Sequence, residues 1–347
     1  MKTVTSTGIL LACAALASAA PAFADDVTVV SFGGTYQDAQ RAVMFKPFEA
    51  ASGIKVTEES WDGGIGVLNA KAKSGTPDWD VVQVEAEDLA LGCADGLFEK
   101  LDWAALGGKD KFLPMAVSDC GVGTAVWSMA IAYDGATTTK APQSWADFWN
   151  VADFPGKRAL RKGPKYTLEF ALLADGVPAD QLYKVLATPE GVDRAFAKLD
   201  ALRPNLIWWE AGAQPLQFLA SGEVAMTSTF NGRITGINKS EGKDFRLVWP
   251  GSMYSVDSWT ILRGSAHPEA AQKFLSFATA PEQQSKMPEF VAYGMTNLAG
   301  IEKIPADLLK DLPTAPDNIR DAIGLDTDFW VDNNEALTER FNAWLAE

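Results

Sequence analysis

The sequence predicts an α/β fold in two lobes, each a mainly parallel sheet flanked by helices, and three observations carry that prediction. Strand-like and helix-like segments alternate along the chain. Apolar residues make up 47% of it, which is ample for packing. Its 347 residues exceed what one hydrophobic core usually spans.

The chain starts with Met1-Lys2, an apolar run from Gly8 to Ala20, and a small-x-small cleavage signal at Ala22-Phe23-Ala24. Residues 1–24 therefore read as a removable secretory signal, too short to cross a bilayer, and the mature chain is expected in the periplasm. An alternative is lipidation at Leu10-Leu11-Ala12-Cys13, although cutting there leaves an unusually short hydrophobic core.

Val27-Thr28-Val29-Val30-Ser31-Phe32 is a β run that stops at Gly33-Gly34-Thr35. Tyr36 to Ala51 then carries helical spacing through Ala39, Val43 and Phe48. A strand at Ile54 to Glu58, a helix at Val67 to Lys73 and a strand at Trp79 to Val84 complete a repeated β-α-β pattern. In such sheets ligands sit at the carboxyl ends of the strands, here Gly33 to Tyr36 and Val84 to Glu87. Further on, Leu247-Val248-Trp249-Pro250-Gly251 reads as a strand ending in a turn, and Thr260-Ile261-Leu262 as a strand again. Between them the stretch Ser252 to Trp259 holds a lone carboxylate, with Ser255, Asp257 and Trp259 on one face and Tyr254, Val256 and Ser258 on the other.

Once the signal is removed, two cysteines remain, Cys93 and Cys120. An oxidising compartment favours a Cys93–Cys120 disulfide over two buried free thiols, and two cysteines alone make a poor metal set. A net charge of -15 argues against a nucleic-acid partner. It tolerates a cationic ligand without requiring one. Catalytic signals are thin: His267, the single histidine, stands at a helix start, and no nucleophile elbow, Walker loop or zinc spacing occurs. Glu85 and Glu87 could do acid–base work but more simply read as solvated. An enzyme is the weaker class.

Five stretches then converge: Phe32-Gly33-Gly34-Thr35-Tyr36; Ser144 to Trp149 followed by Phe154-Pro155-Gly156-Lys157-Arg158; Gly222 to Met226 leading to Asn231-Gly232-Arg233; Val256-Asp257-Ser258; and Ala292 to Asn297. In this order and spacing the chain resembles the extracellular solute-binding proteins of ABC importers, in the spermidine/putrescine-binding family. The resemblance implies the type II periplasmic-binding-protein fold, with a ligand cleft between lobes made of 25–133 plus 258–300 and of 134–257 plus 301–347. It puts the crossings near Tyr133–Gly135, near Asp257 and after about Ala299. It implies no cofactor, a monomer, and a membrane permease with its ATPase as partners.

By the same resemblance Asp257 grips a ligand ammonium, Thr35 and Tyr36 form a pocket wall, and Tyr293 stands in the cleft. Charge-assisted hydrogen bonds and aromatic faces make chemical sense of these positions. The structural alternatives are an Asp257 that caps a turn and rings that merely pack. Departures from the family pattern bear on the ligand. Where polyamine binders carry an acidic pair, this chain has Arg161-Lys162-Gly163-Pro164-Lys165-Tyr166; a family tryptophan is Ser255 and a family glutamine is Val331. Arg233 offers a fork for a carboxylate, unless it braces the lobe as a structural ion pair. Cation at Asp257 and anion at Arg233 indicate a zwitterion, an ω-amino acid such as 4-aminobutyrate. Trp209, with Trp208 beside it, is a candidate to stack on the methylene chain, and Gln214 to donate to the carboxylate. Glu85 keeps a diamine alternative open, and a sensor or a periplasmic enzyme on the same fold remain other classes.

Overall fold

The computed structural model describes Thr3, residues 26–73, Gly75 and residues 77–347. The cleavage site at Ala24 and the rest of the expected signal, Thr3 apart, lie outside the described residues. Nine strands occur among them: β1 (Asp26–Ser31), β2 (Lys55–Ser60), β3 (Val81–Val84), β4 (Val122–Asp134), β5 (Arg158–Arg161), β6 (Leu206–Trp209), β7 (Met226–Phe230), β8 (Phe245–Ile261) and β9 (Ile323–Gly324). They form one sheet in the order β2-β1-β3-β8-β4-β7-β5-β6, with β9 beside β8.

The order contains two matching halves. β1 runs parallel to β2 and β3, and β5 runs parallel to β6 and β7. Each triplet is closed by one antiparallel strand, β8 on β3 and β4 on β7, and these two long strands pair with each other in the middle. The strands nearest the centre are apolar on both faces, as helix-covered parallel strands must be: Val27, Val29, Val30, Val81 and Val82 are fully buried. Gly33 and Gly34 adopt φ of 66° and 60°, which lets the chain turn from β1 directly into the helix Gly34–Gln40. That helix continues through Arg41–Phe45 to Ser52 and stops at left-handed Gly53, matching the predicted helical spacing.

One strand differs from its prediction. The expected turn at Trp249-Pro250-Gly251 is a bulge inside an unbroken β8: Met129 pairs with Met253, but the next pair is Ile131 with Val248. Gly251 takes φ 72°, and its carbonyl accepts from the Trp145 indole at 2.8 Å. A bulge tolerates proline where a regular ladder does not, so Pro250 bends the strand instead of ending it.

The buried side chains gather on either side of the β4–β8 pair. Val122, Trp259 and Phe274 belong to a core with β1 and residues as far as Leu312. Trp127 to Tyr133, Met253, and the aromatics Phe329, Trp330, Phe341 and Trp344 belong to the other. Tyr293 packs against both. Cys93, in the helix Ala86–Ala94, and Cys120, just before β4, are joined as a disulfide with Cα atoms 6.0 Å apart. No helix among the described residues is long and apolar enough to cross a membrane.

Candidate functional site

The parallel strands β1, β2 and β3 end beside the end of β7. Segments following β1, β2 and β3 meet the segment following β7 around a cavity of about 240 Å³, where open α/β sheets place their ligands. A larger depression of about 550 Å³ lies by Asp134, Lys140 and Gly156. It also carries charges of both signs, among them Lys140, Lys157, Asp153 and Glu223, but its Lys140 is already paired with Asp153 and it lies away from the ends of β1, β2 and β3.

Asp257 opens onto the smaller cavity from β8. It is only 5% exposed, and its Oδ1 accepts from the Trp127 indole at 2.8 Å. Burial, and next the charge of Glu85, hold its pKa well above the ordinary carboxylate range, against the pull of the Trp127 hydrogen bond. No lysine or arginine pairs with it among the described residues. Trp127 stands opposite Ser255 in the β4–β8 ladder, so the small side chain at 255 leaves that face to the indole.

Aromatic rings wall the remainder. Phe32 stacks on Trp61 with centroids 6.0 Å apart, Trp127 meets Phe230 edge-on at 5.2 Å, and Tyr36 meets Tyr293 edge-on at 5.3 Å. The Tyr36 hydroxyl accepts from Gln83 Nε2 at 2.7 Å, which leaves its own proton to donate. Gln83 Oε1 in turn accepts from Ser31 Oγ and Gln40 Nε2. Burial keeps the Tyr36 phenol neutral, and the Tyr293 phenol is pushed up to about 12 by burial although Arg233 pulls the other way. Thr35 is exposed at the rim.

Arg233 lies in the first turn of the helix Asn231–Glu241. It is exposed, and no carboxylate pairs with it among the described residues, which removes the structural ion pair as its explanation. Gly212 makes room for it, since a Cβ there would stand 2.9 Å from its Nε. Buried Asn231 anchors this helix start: its Oδ1 accepts from the Ser128 N–H at 2.9 Å, and its Nδ2 donates to the Ala292 carbonyl beside Tyr293.

Asp257, Arg233, Tyr293, Thr35, Tyr36 and Glu85 are therefore brought together. Two expected residues are not. Trp209 is fully buried, donates to Ser228 Oγ at 3.2 Å and backs the Phe230 ring from behind, while Trp208 packs on Phe341 and Trp344. Gln214 turns its carbonyl to the backbone N–H groups of Glu210 and Ala211 at 2.7 and 2.8 Å, bracing the turn rather than facing the cavity. Trp127, Trp61, Phe230 and Gln83 were missed by sequence reasoning. Phe230 had a usable signal, being the last strand residue before Asn231-Gly232-Arg233. His267 is far from this chemistry: its Nδ1 lies 3.2 Å from Asp80, which also accepts from Thr28 N and Ser265 Oγ. No cluster of three metal-ligating side chains occurs among the described residues.

The profile of the bacterial extracellular solute-binding protein family matches residues 43–315. The chain is 51% identical over 332 residues to the gamma-aminobutyric acid-binding protein of Pseudomonas aeruginosa, an alignment covering 96% of this chain and 94% of that relative. A solved structure of a GABA receptor superposes with a TM-score of 0.83 at 34% identity, covering 92% of this chain and 97% of the other. The spermidine/putrescine-binding periplasmic protein of Escherichia coli is 25% identical over 196 residues, 55% of this chain and 54% of its own length. The chain belongs to the bacterial extracellular solute-binding protein family and has its two-lobed type II fold.

Proposed function

We propose that this protein is the periplasmic solute-binding subunit of an ABC importer and that it captures an ω-amino acid, 4-aminobutyrate first. The observation that carries the reading is the presence, in one aromatic-walled cavity, of a buried carboxylate and an arginine with no acidic partner, Asp257 and Arg233. The carboxylate takes the ligand ammonium, which also lies against ring faces, and the guanidinium takes the ligand carboxylate through its planar fork. Tyr36, Tyr293 and Thr35 complete the polar contacts, and Phe230 and Trp127 enclose the methylene chain. The GABA-binding relatives at 51% and 34% identity support this choice over a polyamine.

Binding requires no bond making, and no nucleophile–base pair is assigned. The lobes are drawn on the packing: residues up to Val122 with Trp259 to Leu312 on one side, and Trp127 to Met253 with residues from Ile323 on the other. Ligand held by one lobe gains contacts when the other closes, so it selects the closed form, which a permease and its ATPase would engage. Export through a cleaved segment 1–24 and a monomeric state belong to the same reading.

The test is thermal stabilisation of the ligand-stripped mature protein by 4-aminobutyrate, 5-aminovalerate, putrescine and spermidine. At about 100 times its dissociation constant a true ligand adds roughly 2.7 kcal/mol, a shift of several degrees. A shift with the polyamines alone would overturn the reading.

A further inference from the structure

A second cavity of about 470 Å³ adjoins the first, with Asp62 and Glu85 lining both. Its wall also carries Glu87, Asp88 and Glu335, which with Asp62 and Glu85 outnumber the one other cation there besides Lys165, Arg161, and suit an ammonium. That ammonium is supplied by the protein. Lys165 Nζ stands 2.8 Å from Glu87 Oε1 and 3.5 Å from Glu85 Oε2, with its side chain only 22% exposed. The lysine comes from the segment after β5 and the two glutamates from the segment after β3, so the pair joins the two halves across the cleft.

The lysine is held in place. Its neighbour Tyr166 is the one non-glycine with positive φ among the described residues, at 69°, and its ring is buried against Trp127 and Phe170. Burial disfavours the Lys165 charge, but Glu85 and Glu87 outweigh it, and the ammonium persists. Asp257 feels the charges of Glu85, Glu87 and Lys165, which sets this cluster within electrostatic reach of the ligand carboxylate-binding end's opposite pole.

We propose that Lys165 is a specificity-determining residue: its ammonium occupies the acidic end of the cleft, where the second ammonium of a diamine would otherwise sit. A diamine whose first amine is on Asp257 then meets a like charge instead of a free carboxylate, whereas an ω-amino acid has no second amine to place. Discrimination is thus achieved by a repulsive element as well as by attraction at Arg233. The inference rests on the ω-amino acid reading above and concerns the chemistry that this site refuses.

The experiment is calorimetric titration of the mature protein, as wild type, Lys165→Ala and Lys165→Met, with 4-aminobutyrate, putrescine and cadaverine. Wild type is expected to bind both diamines at least about 100-fold more weakly than 4-aminobutyrate, and Lys165→Ala to gain about 10-fold or more for a diamine. Lys165→Met keeps the packing volume and removes the charge, so it shows a gain even if the alanine variant folds poorly. Adding Glu87→Gln to either variant should cancel the gain. Wild-type binding of 4-aminobutyrate with no diamine gain in either folded variant overturns the role of Lys165 and leaves the ligand reading intact. Wild type binding putrescine as tightly as 4-aminobutyrate also overturns it. Loss of the ω-amino acid reading itself shows as no wild-type response to 4-aminobutyrate, and a diamine gain in the variants would still support the lysine's role.

Discussion

Trp127 and Asp257 are joined across the central β4–β8 pair, the indole N–H donating to the carboxylate Oδ1 at 2.8 Å. This is the hydrogen bond that aims Asp257, and it leaves Oδ2 for a ligand. Asp257→Asn keeps the shape and an acceptor for Trp127 but removes the charge. Affinity for 4-aminobutyrate is expected to fall about 100-fold or more, because a charge-assisted bond in a buried site is lost. The ligand-free variant should melt no lower than wild type, since the empty protein gains nothing from ionising this buried carboxyl. Calorimetry and thermal melts on the two proteins check both outcomes.

The raised Asp257 pKa couples binding to protons. The empty site favours the protonated carboxyl, and an arriving ammonium favours the carboxylate, so binding releases a proton wherever the free group still holds one. Affinity should therefore rise with pH through that range. Titrations at a series of pH values in buffers of different ionisation enthalpy are expected to show net proton release of up to about one per ligand wherever the free carboxyl is protonated, absent in Asp257→Asn. Buffer-independent heats in wild type would count against a protonated Asp257.

Arg233 can be separated from general damage by the choice of ligand. Arg233→Met is expected to weaken 4-aminobutyrate about 100-fold while changing the binding of butylamine, which has no carboxylate, less than about threefold. Equal losses for both ligands would make Arg233 a structural residue.

Glu169 gives a prediction on stability. Its Oε1 accepts from the Trp330 indole at 2.7 Å and the Tyr183 hydroxyl at 3.1 Å, and its buried Oε2 has no partner. Burial pushes its pKa up to about 7 despite these hydrogen bonds, so the fold holds a proton that the unfolded chain gives up near its ordinary value of 4.5. The stabilisation is complete below the unfolded value and is lost as pH rises through about 7. Glu169→Gln should remove this loss, raising stability at pH 8 relative to wild type by on the order of 3 kcal/mol. Denaturant unfolding of both proteins at about pH 5 and pH 8 reads the difference.

Much of the fold was legible because it rests on local pattern. The valine runs of β1 and β3, the helical spacing of Ala39, Val43 and Phe48, and the Gly33-Gly34 turn all stand where the alternation placed them. The break at Pro250 was misread because a bulge and a turn use the same residues, and only the partner strand decides between them. Asp257 and Arg233 could be singled out as charges in unusual company. Trp127 and Gln83 could not, since their roles come from strand pairing and from side chains more than 40 positions away. Trp209 misled for the complementary reason: a tryptophan near a strand end reads the same whether it faces a cleft or, as here, supports a ring that does.

The central claim is that Asp257 and Arg233 grip opposite ends of one ligand, and the crystal structure of the mature protein with 4-aminobutyrate tests it most directly. The account predicts the ligand nitrogen within about 3 Å of an Asp257 oxygen and the ligand carboxylate paired with the Arg233 guanidinium. A ligand bound elsewhere, or one whose carboxylate is held by other groups while Arg233 stays in solvent, would contradict it.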